Sequence, residues 1–216
     1  MNKNKILNDI NLSAKPYVIY KTSNGFDLFT DFSKKIILSN NNVTNFLETI
    51  SSNKKKIKKT DLYIGFFGYE LLNYLIGIKF PKQKTNFFPK GIFYKPETLI
   101  SLSENLSFKA LTTDKKNKQF KININRKNYT KIFNKFKRKI KQGETYQIKI
   151  CTKYKNKSKI DPLDFFCRLS KSNLAPEAFL IKDKNYSVIS CSPETLIEKK
   201  GRSIITKPIA GTLKKN

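Results

Sequence analysis

The sequence predicts an α+β fold in which short strands, paired mostly as hairpins, alternate with a few helices. Three observations predict it. Tyr129, Ile132, Phe133, Phe136 and Ile140 recur at the spacing of a single helical face. Tyr17–Tyr20, Thr98–Leu102 and Ala178–Ile181 are short apolar runs of strand length bounded by polar and turn residues. Between such runs Asp161-Pro162 carries the signature of a second helix start, a capping aspartate followed by proline at the first helical position.

From the N-terminus, Tyr17–Tyr20 and Lys35–Leu38 read as strands, with Asn24-Gly25 marking a turn between them. Val43–Ser51 reads as a short helix with Asn42 at its N-cap. Tyr63–Tyr69 reads as a buried strand interrupted by Gly65 and Gly68, and Phe80–Pro96, with its three prolines, as loop. Thr98–Leu102 and Phe120–Ile124 read as strands. The helix Tyr129–Lys141 carries lysines opposite its apolar stripe and basic residues in its last turn, where they suit the helix dipole, and Gly143 ends it as a C′ glycine. A strand is expected over Thr145–Lys153. The second helix turns Leu163, Phe166, Cys167 and Leu169 inward, and Ala178–Ile181, Tyr186–Ser190 and Arg202–Thr206 complete the strands. There are no internal repeats.

Composition narrows the function classes. The chain has 216 residues, 38% hydrophobic and 12% aromatic, enough for a sizeable core. Its formal charge is +28. Such an excess raises nucleic-acid binding as an alternative of another class. Against it, only Arg126, Arg138, Arg168 and Arg202 of the 44 basic residues are arginine, the side chain that grips phosphate in a fork. The lysines are dispersed, and the Lys, Asn, Ile and Phe usage is that of an A+T-rich gene. No histidine is present, which removes His-based triads and His zinc sites. Cys151, Cys167 and Cys191 have no paired spacing, so reduced thiols and a cytoplasmic location are expected. The N-terminus lacks an apolar signal region, and the apolar stretch Ile64–Phe80 is interrupted by Glu70, Asn73 and Lys79, so no membrane association is expected.

Polar residues set into these strands carry the chemical signal. Gly143-Glu-Thr-Tyr-Gln147, Asp161-Pro-Leu163, Asn173-Leu-Ala-Pro176, Ser192-Pro-Glu194 and Pro208-Ile-Ala-Gly-Thr212 follow one another in order. Singly each is weak, since Pro-flanked carboxylates and Pro-x-x-Gly-Thr are ordinary turn chemistry. As an ordered set over Tyr129–Thr212 they resemble the chorismate-binding family: component I of anthranilate synthase and of aminodeoxychorismate synthase, and the isochorismate and salicylate synthases. Gly65-Phe-Phe-Gly-Tyr-Glu-Leu71 resembles a segment of the aminating members' N-terminal region.

The resemblance implies layered antiparallel sheets flanked by helices, with residues 1–125 as a component I N-terminal region and 126–216 as the first part of the catalytic domain. It implies two catalytic residues. Glu194 matches the general acid that protonates the departing C4 hydroxyl of chorismate, and Gln147 matches the position that separates the chemistries. Water-adding members resemble one another in a lysine there; a neutral glutamine cannot take a proton from water and argues for ammonia. Ala210, Gly211 and Thr212 match substrate-binding positions. Ala210 stands where many aminodeoxychorismate synthases resemble one another in a lysine that attacks C2, so the product expected is anthranilate, with aminodeoxychorismate as the alternative. Lys207 is not expected to replace that lysine. No Leu-Leu-Glu-Ser motif, associated with tryptophan response, is found, and Ala175-Pro176 resembles the aminodeoxychorismate branch. The family's Mg²⁺ ligands are expected beyond Asn216, which makes this an incomplete fold with little or no activity alone. The partners implied are chorismate, a glutamine amidotransferase subunit and a separate chain carrying the C-terminal half.

Overall fold

The computed structural model describes residues 3–13, 15–52, 58–77, 88–103 and 119–209. The chain divides into two compact units, Met1–Leu111 together with Pro162–Asn216, and Thr112–Asp161. The first is an α+β unit around one antiparallel sheet, as the sequence predicts.

Its strands are β1 (Tyr17–Thr22), β2 (Gly25–Ile37), β3 (Ile64–Phe67), β4 (Gly91–Leu102), β7 (Glu177–Lys182) and β8 (Ser187–Ser192), in the order β3-β4-β2-β1-β7-β8. A two-residue turn, Ser23-Asn24, joins β1 to β2, with Thr22 opposite Gly25. Strand alternation sorts the core into faces. Tyr17 and Ile19 of β1, Phe26 and Leu28 of β2, and Ala178 and Leu180 of β7 face α1 (Lys3–Leu12) and α5 (Pro162–Ser172). Helix α5 adds Leu163, Phe166 and Cys167; removing its Leu and Phe from water is worth about 2 kcal/mol each. Val18, Phe29 and Ile181 face the other way.

The sheet curls, and the cause is local. Asp31 has φ 51°, and just beyond it the β2–β4 register shifts between Phe32↔Pro96 and Lys34↔Lys95. Regular alternation would put Phe29 and Phe32 on opposite faces, yet both join the cluster of Val18 and Ile181. Beyond this kink Ile92 and Tyr94 fold over that same cluster. Behind them α2 (Val43–Ser52) packs Val43 and Phe46 against Leu38, Leu71 and Phe93.

Three sequence-based expectations are corrected here. Gly91–Pro96 is strand, because Pro96, which has no N–H, sits beside the β2 bulge where no donor is needed. Tyr63–Tyr69 yields only the edge strand β3, half-buried, followed by a 3₁₀ turn over Tyr69–Leu71 and the short α3 (Leu72–Leu75). Asn42 does not turn its amide into α2. It accepts from the Ser39 N–H (2.8 Å) and donates to the Ile37 carbonyl (3.0 Å), closing the turn before the helix. The N-terminal helix α1 and the strand β9 (Thr195–Lys200) carry no sequence signal strong enough to have been expected; β9 pairs with β10 (Ser203–Lys207) as a separate hairpin.

In the second unit α4 spans Arg126–Lys141. The Asn125 side chain accepts from the Asn128 N–H, and the helix ends on Gly143 at φ 74°. Gly143 N–H donates to the Ile140 carbonyl and Glu144 N–H to that of Lys139, the Schellman pair. The expected strand Thr145–Lys153 does not form. Among the described residues of this unit only Lys121–Ile122 (β5) and Tyr154–Lys155 (β6) pair, so the expected Phe120–Ile124 strand is shortened too. Ile148, Ile150 and Thr152 alternate with exposed neighbours as a strand would, but none of them is in a ladder. No helix among the described residues is long and apolar enough to cross a membrane.

Candidate active site

Glu194 sits on the turn between β8 and β9. Strand β8 ends at Ser192, and Pro193 offers no donor to continue it. The Ser192 hydroxyl then bridges forward, accepting the Glu194 N–H at 3.4 Å and donating to the Glu194 carbonyl at 3.2 Å. The Glu194 side chain is thereby left exposed just past the end of β8, whose partner β7 is in the core. Thr195 follows at once and is buried, 7% exposed, with its backbone opposite Lys207 of β10.

One carboxylate ties this turn to the sheet. Glu177 starts β7 directly opposite Ser192. Its Oε1 accepts from the Thr195 hydroxyl at 2.7 Å and its Oε2 from the Tyr20 phenol at 2.6 Å. Burial first, then the Glu177 carboxylate, push the Tyr20 phenol well above its ordinary range, so it remains a donor. The segment Asn173–Pro176 is held beside it: Lys21 Nζ donates to the Ala175 carbonyl (2.9 Å) and Asn173 Nδ2 to that of Cys191 (3.4 Å). Burial raises the Cys191 thiol against the lowering effect of Lys21. Sequence reasoning missed Tyr20, Glu177 and Thr195. The only local signal was a carboxylate at a strand start just after the Asn173–Pro176 motif.

Gln147 belongs to the other unit, Thr112–Asp161. It is exposed, and its carbonyl accepts from the Thr145 hydroxyl at 3.2 Å. Glu194 and Gln147 are thus carried by different units. Lys207 closes β10, and Pro208-Ile209 leave the hairpin. Ala210, Gly211 and Thr212 lie outside the described residues. Among the described residues no three Cys, Asp or Glu side chains come together as a metal site.

Comparison with known proteins converges on one family. The family model for chorismate binding enzymes matches residues 13–216. Anthranilate synthase component 1 of Buchnera aphidicola subsp. Rhopalosiphum maidis is 28% identical over 77% of this chain and 39% of that protein. The corresponding protein of Buchnera aphidicola subsp. Diuraphis noxia is 27% identical over 84% of this chain and 42% of its own length. Aminodeoxychorismate synthase component 1 of Bacillus subtilis is 27% identical over 39% of this chain and 18% of that protein. The chain therefore spans less than half the length of the relatives it matches.

Proposed function

The chain belongs to the chorismate binding enzyme family, and from that membership we propose that it contributes the acid-bearing part of a chorismate-aminating site that yields anthranilate. The observation that carries this reading is the Ser192–Thr195 turn, which fixes its backbone and leaves the Glu194 carboxyl exposed. Ammonia adds to C2 of chorismate while Glu194 protonates the C4 hydroxyl, which departs as water; loss of pyruvate then gives anthranilate. Gln147, a neutral amide, orients ammonia and cannot activate water. Ala210 leaves no lysine to form a covalent adduct, while the Gly211 N–H and Thr212 hydroxyl hold a substrate carboxylate. Mg²⁺ takes its ligands from outside the described residues. A glutamine amidotransferase subunit supplies the ammonia, and residues corresponding to the remaining length of the relatives complete the site.

A second reading keeps the amination and changes the product. Ala175-Pro176 and the similarity to the Bacillus subtilis protein favour aminodeoxychorismate. One assay separates them: chorismate, ammonium and MgCl₂ are supplied to the chain alone and to the chain co-expressed with the completing polypeptide. Anthranilate fluorescence with stoichiometric pyruvate in the co-expressed sample supports the first reading; an aminated product without pyruvate supports the second. Glu194→Gln is expected to lower turnover by on the order of 100-fold or more. A soluble, completed protein that consumes no chorismate would sink both.

A further inference from the structure

We propose that Glu177 is a positioning residue for Glu194, holding the Ser192–Thr195 turn from behind through the Thr195 hydroxyl while Tyr20 locks its own carboxylate. The proposal rests on the reading of Glu194 as the acid.

The geometry is specific. Both oxygens of Glu177 are engaged, Oε1 by Thr195 at 2.7 Å and Oε2 by Tyr20 at 2.6 Å, so the carboxylate cannot swing without breaking a charge-assisted hydrogen bond. The anchor's backbone is paired on both sides. Tyr20 lies in β1, which is flanked by β2 and β7, opposite Asp27 on one side and Phe179 on the other. The braced residue is buried, whereas Glu194 before it is exposed. The brace spans the turn, because Glu177 also faces Ser192 across the β7–β8 ladder. Its reach extends one strand further: Thr195 pairs with Lys207, the last residue of β10 before Pro208. Glu177 therefore restrains both the acid-bearing turn and the point from which residues 208–212 depart. A positioned acid gains its advantage from geometry, and small displacements of such a group are costly in rate.

A purely structural carboxylate would affect stability alone, so the test reads placement and rate separately. The full chain, co-expressed with its completing polypeptide, is compared as wild type, Glu177→Ala and Glu177→Gln. In Glu177→Ala, amide exchange at Glu194, Thr195 and Ile205–Lys207 is expected to accelerate about 10-fold or more while Val18, Ile19, Leu180 and Ile181 keep their protection. In the same variant kcat for chorismate falls on the order of 10- to 100-fold with little change in KM. Glu177→Gln restores part of both, since an amide oxygen still accepts one hydroxyl and the other hydroxyl can turn to accept from the amide NH₂. If Glu177→Ala does not fold, Tyr20→Phe, which frees one carboxylate oxygen, is expected to show the same pattern at smaller amplitude. Unchanged exchange at Glu194 and Thr195 overturns the brace. Accelerated exchange with unchanged kcat overturns positioning. Should the wild type turn over no chorismate, the functional reading falls, and the exchange data alone then decide for or against the brace.

Discussion

Asp183 shows what a single side chain does in this fold. It lies in the β7–β8 turn with its carboxyl 5% exposed, and it receives Lys35 Nζ at 2.6 Å, the Tyr94 hydroxyl, and the Lys184 N–H at 2.6 Å. Burial alone would raise its pKa; the hydrogen bonds from Lys35, Tyr94 and Lys184 outweigh burial and hold it below the ordinary aspartate value. A carboxyl depressed in the folded state adds stability above its unfolded pKa, and that stability is lost as pH falls through the folded value. Urea midpoints should therefore hold from pH 7 to about 4 and drop below it, and Asp183→Asn should flatten that drop. At pH 7 the same substitution is expected to cost about 2 kcal/mol, since hydrogen bonds to a charged group are lost. Legibility at this scale is uneven. Glu194 is readable because its chemistry sits in a local motif. Asp183 is not, because its partner Lys35 is 148 residues away and Lys182-Asp183-Lys184 on its own is an ordinary polar turn. Glu177 escapes for the same reason.

Elements were legible where their stabilisation is local. α4 is such a case, its stripe and C′ glycine both lying between Tyr129 and Gly143, although its Asn125 cap and first residues from Arg126 went unread. Gly143→Ala should cost about 1 kcal/mol, because φ 74° is strained for any residue with a Cβ; the unfolding midpoint followed by circular dichroism checks it. Strands are pairings, and a sequence shows only half of each. Thr145–Lys153 has a strand's alternation but no ladder, and Gly91–Pro96 ends on a proline yet pairs, up to a bulge. The β3–β4 pairing makes its own prediction. A Cβ on Gly65 would stand 1.9 Å from the Ile92 carbonyl oxygen, so Gly65→Ala should separate β3 from β4 at a cost on the order of 2–3 kcal/mol. Exchange of the Ile64–Phe67 amides should rise first. Unchanged protection there would show that the backbone can yield.

At the scale of the molecule the class α+β was readable from local periods, but the strand order β3-β4-β2-β1-β7-β8 was not, because no local pattern says that β1 waits for β7. The net charge of +28 acts only at this scale. Self-repulsion among so many lysines opposes the compact state, and added salt screens it. The urea midpoint should therefore rise between 20 and 300 mM NaCl, by an amount that a substitution at any one lysine does not reproduce. The pairing of β1 with β7 also sets an order in time. Tyr20 and Glu177 are 157 residues apart in the chain. At about 5–20 residues per second of synthesis, β1 and β2 exist for roughly 8–30 s before the strand that covers the second edge of β1 has been made. Through that interval Tyr17–Thr22 offers its unpaired edge to any extended segment nearby, so the growing chain depends on whatever shields nascent strands.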